Sequence, residues 1–215
     1  MALKLVNVSV VVLSEGNNPR LLNPDFLERN RVVPKEWKVA DVLVTPPFAQ
    51  VVYENGIQFT VEMNKLQFQT GNPNTVDWEK TIPDVATTYL ELLPHVTYRA
   101  VGINFEFADA DYSERPFAKL LKEGPWLERE GGITGAAIEL HYRSKAPQMN
   151  VKIGLQPAAK ASKEAGNQLT FTVNYHYNFG PDDSDGRKQF ISSIGRLKER
   201  FLDFAGSLPF VGVEV

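Results

Sequence analysis

Alternation of apolar and polar positions dominates this chain, broken at two places by a helical period. Residues 3–13 alternate, with Val6, Val8, Val10 and Val12 on one face, and predict a first strand. Ser14-Glu15-Gly16-Asn17-Asn18-Pro19 ends it as a loop. Asn23-Pro24-Asp25-Phe26-Leu27-Glu28 predicts a short helix, with Asn23 as cap and Pro24 at the first helical position. After Trp37, residues 39–45 read as a strand that Pro46-Pro47 interrupts, and we expect one long bent strand continuing to Tyr53. Prolines confine such a strand to a sheet edge or a bulge. Asn55-Gly56 lies between Val51-Val52-Tyr53 and Ile57–Val61, which predicts a hairpin with a type I′ turn. A second turn near Asn64-Lys65 leads to Leu66-Gln67-Phe68. The segment 70–81 reads as a loop, and Pro83 as the opening of a helix to Leu93 that buries Val85, Tyr89 and Leu92 before Pro94 stops it.

A second round follows. Residues 97–107 form a strand with Val101, Ile103, Phe105 and Phe107 on one face; 116–122 is a short helix; 133–142 is a strand with Ala136, Ile138, Leu140 and Tyr142 inward. The return strand carries Met149, Val151, Ile153 and Leu155, and the last strand Leu169, Phe171, Val173, Tyr175, Tyr177 and Phe179. From Asp185 to Gly206 the period changes. Phe190, Ile194, Leu197, Phe201, Phe204 and Leu208 recur at steps of four and three, one apolar stripe on a helix of about five turns that needs a sheet face to cover. The two rounds share one order: strand, short helix, three strands, long helix. We therefore expect an α+β fold with an internal duplication, 1–94 as the first repeat and 95–215 as the second, packed as one pseudo-twofold unit. Short spacers between strands make the sheets antiparallel.

Composition changes this picture only by exclusion. At 215 residues the chain is long enough for a large core, and its net charge of −3 with no long basic run argues against nucleic acid as a partner. It has no cysteine, so disulfides, cysteine-ligated metals and thiol nucleophiles are ruled out. No apolar run reaches the ~20 residues of a membrane span. Asn7 and Ser9 interrupt the N-terminal apolar stretch, which reads as a strand and not as a signal peptide, so a cytoplasmic, soluble protein with no membrane partner is expected.

The element order resembles the TATA-binding-protein-like architecture, a curved sheet backed by two long helices. The run Tyr53-Glu54-Asn55-Gly56-Ile57-Gln58-Phe59-Thr60-Val61 with Leu66-Gln67-Phe68, and the helix and strand from Ile82 to Phe107 with Gly102-Ile103-Asn104, are similar to a sporadically distributed, uncharacterised bacterial family. This resemblance spans about residues 48–107 and implies no catalytic residue.

Candidate chemistry gathers on the polar faces of the second-half strands. Glu139, His141 and Arg143 share one face of their strand, and Thr172, Asn174, His176 and Asn178 share one face of the last. Glu106 with Asn104, and Lys152 with Asn150, have the same phase. Neighbouring strands would bring a carboxylate, two imidazoles and a guanidinium together as a base, an orienting group and an anion clamp. The same pattern describes the solvated face of any open antiparallel sheet. We rank a solvated face first, a ligand or partner surface (Glu106, Glu139, His141, Arg143, Lys152, Asn174, His176) second, and catalysis last. Asp182-Asp183-Ser184-Asp185-Gly186 lacks the calcium-loop frame and reads as helix capping. Gly131-Gly132-Ile133-Thr134-Gly135 enters a strand and is no phosphate cradle. No cofactor, no metal site and no catalytic residue is expected. The leading expectation is a non-enzymatic interaction protein, a homo-oligomer or the partner of another protein, that works through sheet edges or its apolar tail from Leu208. The alternative is a small-molecule binding module with its pocket between sheet and long helices, built from aromatics such as Phe171, Tyr175, Tyr177, Phe190, Phe201 and Phe204.

Overall fold

The structure, a computed structural model, describes residues 3–109, 136–142, 147–157, 167–180 and 183–208. These form a mixed α+β architecture of nine strands in one antiparallel sheet with four α-helices on one face. In chain order they are β1 (Lys4–Glu15), a 3-10 turn (Pro19–Leu21), α1 (Pro24–Arg29), β2 (Val39–Val44), β3 (Phe48–Tyr53), β4 (Ile57–Glu62), β5 (Lys65–Thr70), α2 (Trp78–Glu91), β6 (Thr97–Asp109), β7 (Ala136–Tyr142), β8 (Gln148–Pro157), β9 (Asn167–Asn178), α3 (Ser184–Ser192) and α4 (Ile194–Gly206). Across the sheet the order is β2-β3-β4-β5-β1-β6-β9-β8-β7, so β1 and β6 form the centre, paired through Val10↔Ile103 and Val11↔Gly102. The short helix expected at 116–122, the glycine run at 131–135 and the tail from 209 lie outside the described residues.

Strand alternation supplies the core. Val8, Val10 and Val12 are fully buried beside Leu66 and Phe68 of β5 and Val101, Ile103 and Phe105 of β6, all on the helix-covered face. Burying such a side chain is worth roughly 1.5–3 kcal/mol relative to exposing it. Rings bind the layers together. Trp37, Tyr53, Phe59, Phe68, Tyr89 and Phe26 follow one another edge-on at centroid separations of 5.3–6.1 Å. In the second half Phe201 of α4 stacks on Phe107 at 4.8 Å and meets Phe171 at 5.7 Å. The layer between sheet and helices is thus filled by packing: Phe171, Tyr175 and Phe201 are fully buried in it, Tyr177 stacks on Phe190, and Phe204 packs on Tyr142.

Five sequence expectations need correction. Val6 is exposed, because a register shift between Leu5 and Asn7 turns it out of the row that Val8 continues. Pro46-Pro47 does not bend one long strand; it turns the chain between β2 and β3, which pair as a hairpin through Val42↔Val51 and Val44↔Ala49. The Asn55-Gly56 turn is not type I′, which needs positive φ at both central residues. Only Gly56 has it (φ +87°), and its N–H donates to Tyr53 O at 2.9 Å, giving a three-residue loop closed by a glycine bulge. Finally, the C-terminal helix is two helices. Ser193 leaves helical geometry (ψ 5°) and its hydroxyl donates to Phe190 O at 2.7 Å, drawing that carbonyl away from the helical ladder. Pro83, expected to open α2, lies inside it, and the helix starts at Trp78. Trp78 is buried against Phe105, and this contact anchors the added turn.

Candidate functional site

The sheet face opposite the described helices is built of polar rows running across the strands. One row aligns Ser9, Asn104, Asn174, Asn150 and His141 on β1, β6, β9, β8 and β7. Their side chains form a continuous relay. His141 Nδ1 lies 2.8 Å from Asn150 Oδ1, Asn150 Nδ2 donates to Asn174 Oδ1 at a longer 3.5 Å, Asn174 Nδ2 to Asn104 Oδ1 at 2.8 Å, and Asn104 Nδ2 to Ser9 Oγ at 3.2 Å. Gly102 leaves room for it, since a Cβ there would lie 3.1 Å from Asn174 Nδ2. The next row aligns Glu106, Thr172, Lys152 and Glu139, with Lys152 Nζ 3.7 Å from Glu139 in an exposed pair. His176 pairs across β8 with Gln148, and its Nε2 lies 2.9 Å from Asn178 Oδ1.

Six of the seven candidate residues therefore share one face: Glu106, Glu139, His141, Lys152, Asn174 and His176. Arg143 lies outside the described residues. Sharing a face does not assemble a catalytic group. His141 and His176 stand two strands and two residues apart, roughly 10–12 Å by sheet geometry. Each imidazole contacts an amide, and Glu139, the carboxylate meant to orient one, is paired with Lys152. Among the described residues no group of three His, Cys, Asp or Glu side chains can hold a metal. A shallow depression of about 180 Å³ lies between Glu139, His141, Lys152 and Asn174, small against the ~300–1,000 Å³ of ligand sites. Asp183 caps α3, as its side chain accepts from Gly186 N at 2.9 Å.

The sheet's two edges differ. β7 carries Glu139 and His141, whereas β2 reads Val39-Ala40-Asp41-Val42-Leu43-Val44 with a single charge. Every β2 residue is exposed, and Val39, Val42, Leu43 and Val44 are each 40–49% accessible. Thr45 N donates to Phe48 O at 2.8 Å and Glu54 N to Lys38 O at 2.9 Å. A bulge between Val39 and Asp41 separates these two bonds, and by antiparallel alternation from the Thr45 bond the N–H and C=O groups of Val42 and Val44 point away from β3, along the sheet's edge. None of these residues was among the site candidates. The signal that could have found them is Pro46-Pro47, which marks an edge, beside a run of four β-branched or leucine side chains.

No protein-family model matches the chain, and no curated protein matches it. Among solved structures the chain is similar to a rolling circle replication initiator protein from Geobacillus stearothermophilus, at 11% identity and a TM-score of 0.32, over 94% of this chain and 85% of that one. No helix among the described residues is long and apolar enough to cross a membrane.

Proposed function

We propose that this chain is a non-enzymatic interaction protein whose first contact is a second copy of itself, made through β2. The observation that carries the reading is the exposed apolar stretch on that edge. Natural sheets protect an edge strand with lysines, prolines, bulges, inward charges or a covering segment. A bulge at Val39/Asp41 and Pro46-Pro47 bracket β2, but between them Val42-Leu43-Val44 runs uncharged and exposed, with outward backbone groups at Val42 and Val44. A twofold-related copy satisfies those groups by antiparallel pairing. Registers that set Val42 opposite Val42, or Leu43 opposite Leu43, keep the two Asp41 carboxylates from facing each other. A six-residue edge contact is small beside the ~1,600 Å² of a standard interface, so a dissociation constant in the micromolar range is expected.

Sedimentation velocity from about 1 to about 300 µM should show a monomer passing to a dimer, and Val42→Lys with Leu43→Lys should hold the chain monomeric. A wild-type chain that stays monomeric throughout, or a doubly substituted chain that dimerises equally well, would sink the proposal.

The same reading includes an internal duplication, with residues 1–94 and 95–215 as its copies. Its support is the order of elements around β1 and β6: β5, β4 and β3 lie outward from β1 as β9, β8 and β7 lie outward from β6. α2 follows β5 as α3 and α4 follow β9.

A further inference from the structure

A groove of about 670 Å³ runs between the α1–β2 connection and α2. One wall is the helical face Lys80, Thr81, Asp84, Val85 and Thr88, whose spacing sets these residues on one side of α2. The other wall is the segment Arg31–Lys35 with Trp37. Val32, Val33 and Val85 are buried beneath it, and Trp37 is held half-buried by its edge-on contact with Tyr53 at 5.3 Å. Its volume falls within the range of small-molecule sites, and its lining combines an aromatic and aliphatic floor with charged rims. Three cations, Arg31, Lys35 and Lys80, face two carboxylates, Glu28 and Asp84, in a chain whose net charge is −3. Lys35 lies 3.9 Å from Glu28, while Arg31 and Lys80 pair with no carboxylate among the described residues.

Arg31 supplies a separate line of argument. It follows α1 with φ +57°, its N–H donating to Glu28 O at 3.0 Å, in the left-handed position that ends helices and is usually glycine. An arginine there strains the backbone that a glycine would relax. The side chain gains no ion pair in return, and it lines the groove. A residue that opposes local stability and offers an unpaired charge to a cavity is better explained by what enters the cavity than by the fold.

We propose that this groove binds an amphiphilic organic anion, a carboxylate- or phosphate-bearing small molecule with an apolar body. Arg31 and Lys80 draw the acid group, and Trp37, Val76 and Val85 receive the body. Asp84 is left to accept a hydrogen bond from a donor on the same molecule.

The test uses the aromatic sulfonate 8-anilinonaphthalene-1-sulfonate as probe, titrated by fluorescence at low ionic strength, where charge pairing is least screened. The proposal expects Arg31→Gly to raise the melting temperature by roughly 2–4 °C while weakening the probe at least ~5-fold, with Lys80→Gln weakening it similarly. Val42→Lys, on the β2 edge, should leave probe affinity unchanged, which separates this site from the self-association surface. Probe affinity within about twofold of wild type in both Arg31→Gly and Lys80→Gln would overturn the assignment. So would a fall in melting temperature on Arg31→Gly, because it would give the arginine a structural role.

Discussion

Tyr53, Tyr89 and Tyr175 are buried with hydroxyls that meet no hydrogen-bond partner among the described residues. Tyr98, also buried, donates to Leu90 O and Leu93 O at 3.1 and 3.3 Å. Burial pushes the phenol of Tyr53 up from 10.0 to about 12, with the Glu28 charge adding to it. Burial likewise lifts Tyr175 and Tyr98 to about 12, against the smaller opposing pull of Arg200 and Arg187 respectively. Tyr89 is raised by burial and then by Tyr98. A phenol whose folded pKa exceeds its unfolded value binds more protons in the native state. Its contribution is full below pH 10 and is lost as pH rises from 10 through about 12. Urea unfolding should therefore give a stability that is insensitive to tyrosine ionisation up to pH 9–10 and falls steeply above it. Tyr175→Phe, which removes an unpartnered hydroxyl, should be near neutral at pH 7 and should lessen the alkaline loss. A steep fall beginning well below pH 9, or a Tyr175→Phe variant with unchanged alkaline loss, would contradict this account.

At the scale of elements, what the sequence made legible was what period and caps determine. Val8, Val10 and Val12, the β6 face and the Phe190–Phe201 stripe all lie where alternation and helical spacing put them. Ile191 and Ala205, both fully buried, widen that stripe beyond the residues first counted. Features settled by one local hydrogen bond or one shift in strand register were not legible: the Ser193 break, the left-handed residue at Gly56 and the bulge at Val6. Of the candidate site, the shared face was readable because antiparallel pairing preserves phase. The relay was not, because it depends on which strands are neighbours, and β6 is bonded to β9 rather than to β7. The cap of α3 shows how local chemistry then couples to the sheet. Asp183 accepts from Gly186 N at 2.9 Å and from the Tyr177 hydroxyl at 3.2 Å, and this hydrogen bond raises the Tyr177 phenol above its usual value. Asp183→Ala should cost about 1 kcal/mol through the lost cap, lowering the melting temperature by roughly 2–4 °C. It should also return Tyr177 toward an ordinary phenol in an absorbance titration. Unchanged melting and titration would remove this link.

For the whole molecule, the question is how a nine-stranded sheet ends. The two halves are tied on the helix side, where Lys188 Nζ bonds Glu91 Oε1 at 2.9 Å, Lys198 pairs with Glu79, and Lys198 sits 5.3 Å over the Trp78 ring. Those contacts join α2 to α3 and α4, so the layer can act as one body with β2 and β7 as its outer limits. Nine strands at ~4.8 Å span roughly 40 Å, and pairing through β2 would append a second sheet of the same width to the first. Twist of about 20° per strand would curl the pair without folding one sheet onto the other. A dimer formed instead by stacking the polar faces would lie ~10 Å sheet to sheet and be hardly longer than the monomer. Small-angle X-ray scattering across the concentration range of association separates these shapes. Edge pairing should lengthen the maximum dimension by more than about half as the dimer fills, with a distance distribution skewed to long vectors. A dimer whose mass doubles while its maximum dimension stays near that of the monomer would shift the interface from β2 to the amide-lined face. The relay from Ser9 to His141 would then become the contact surface.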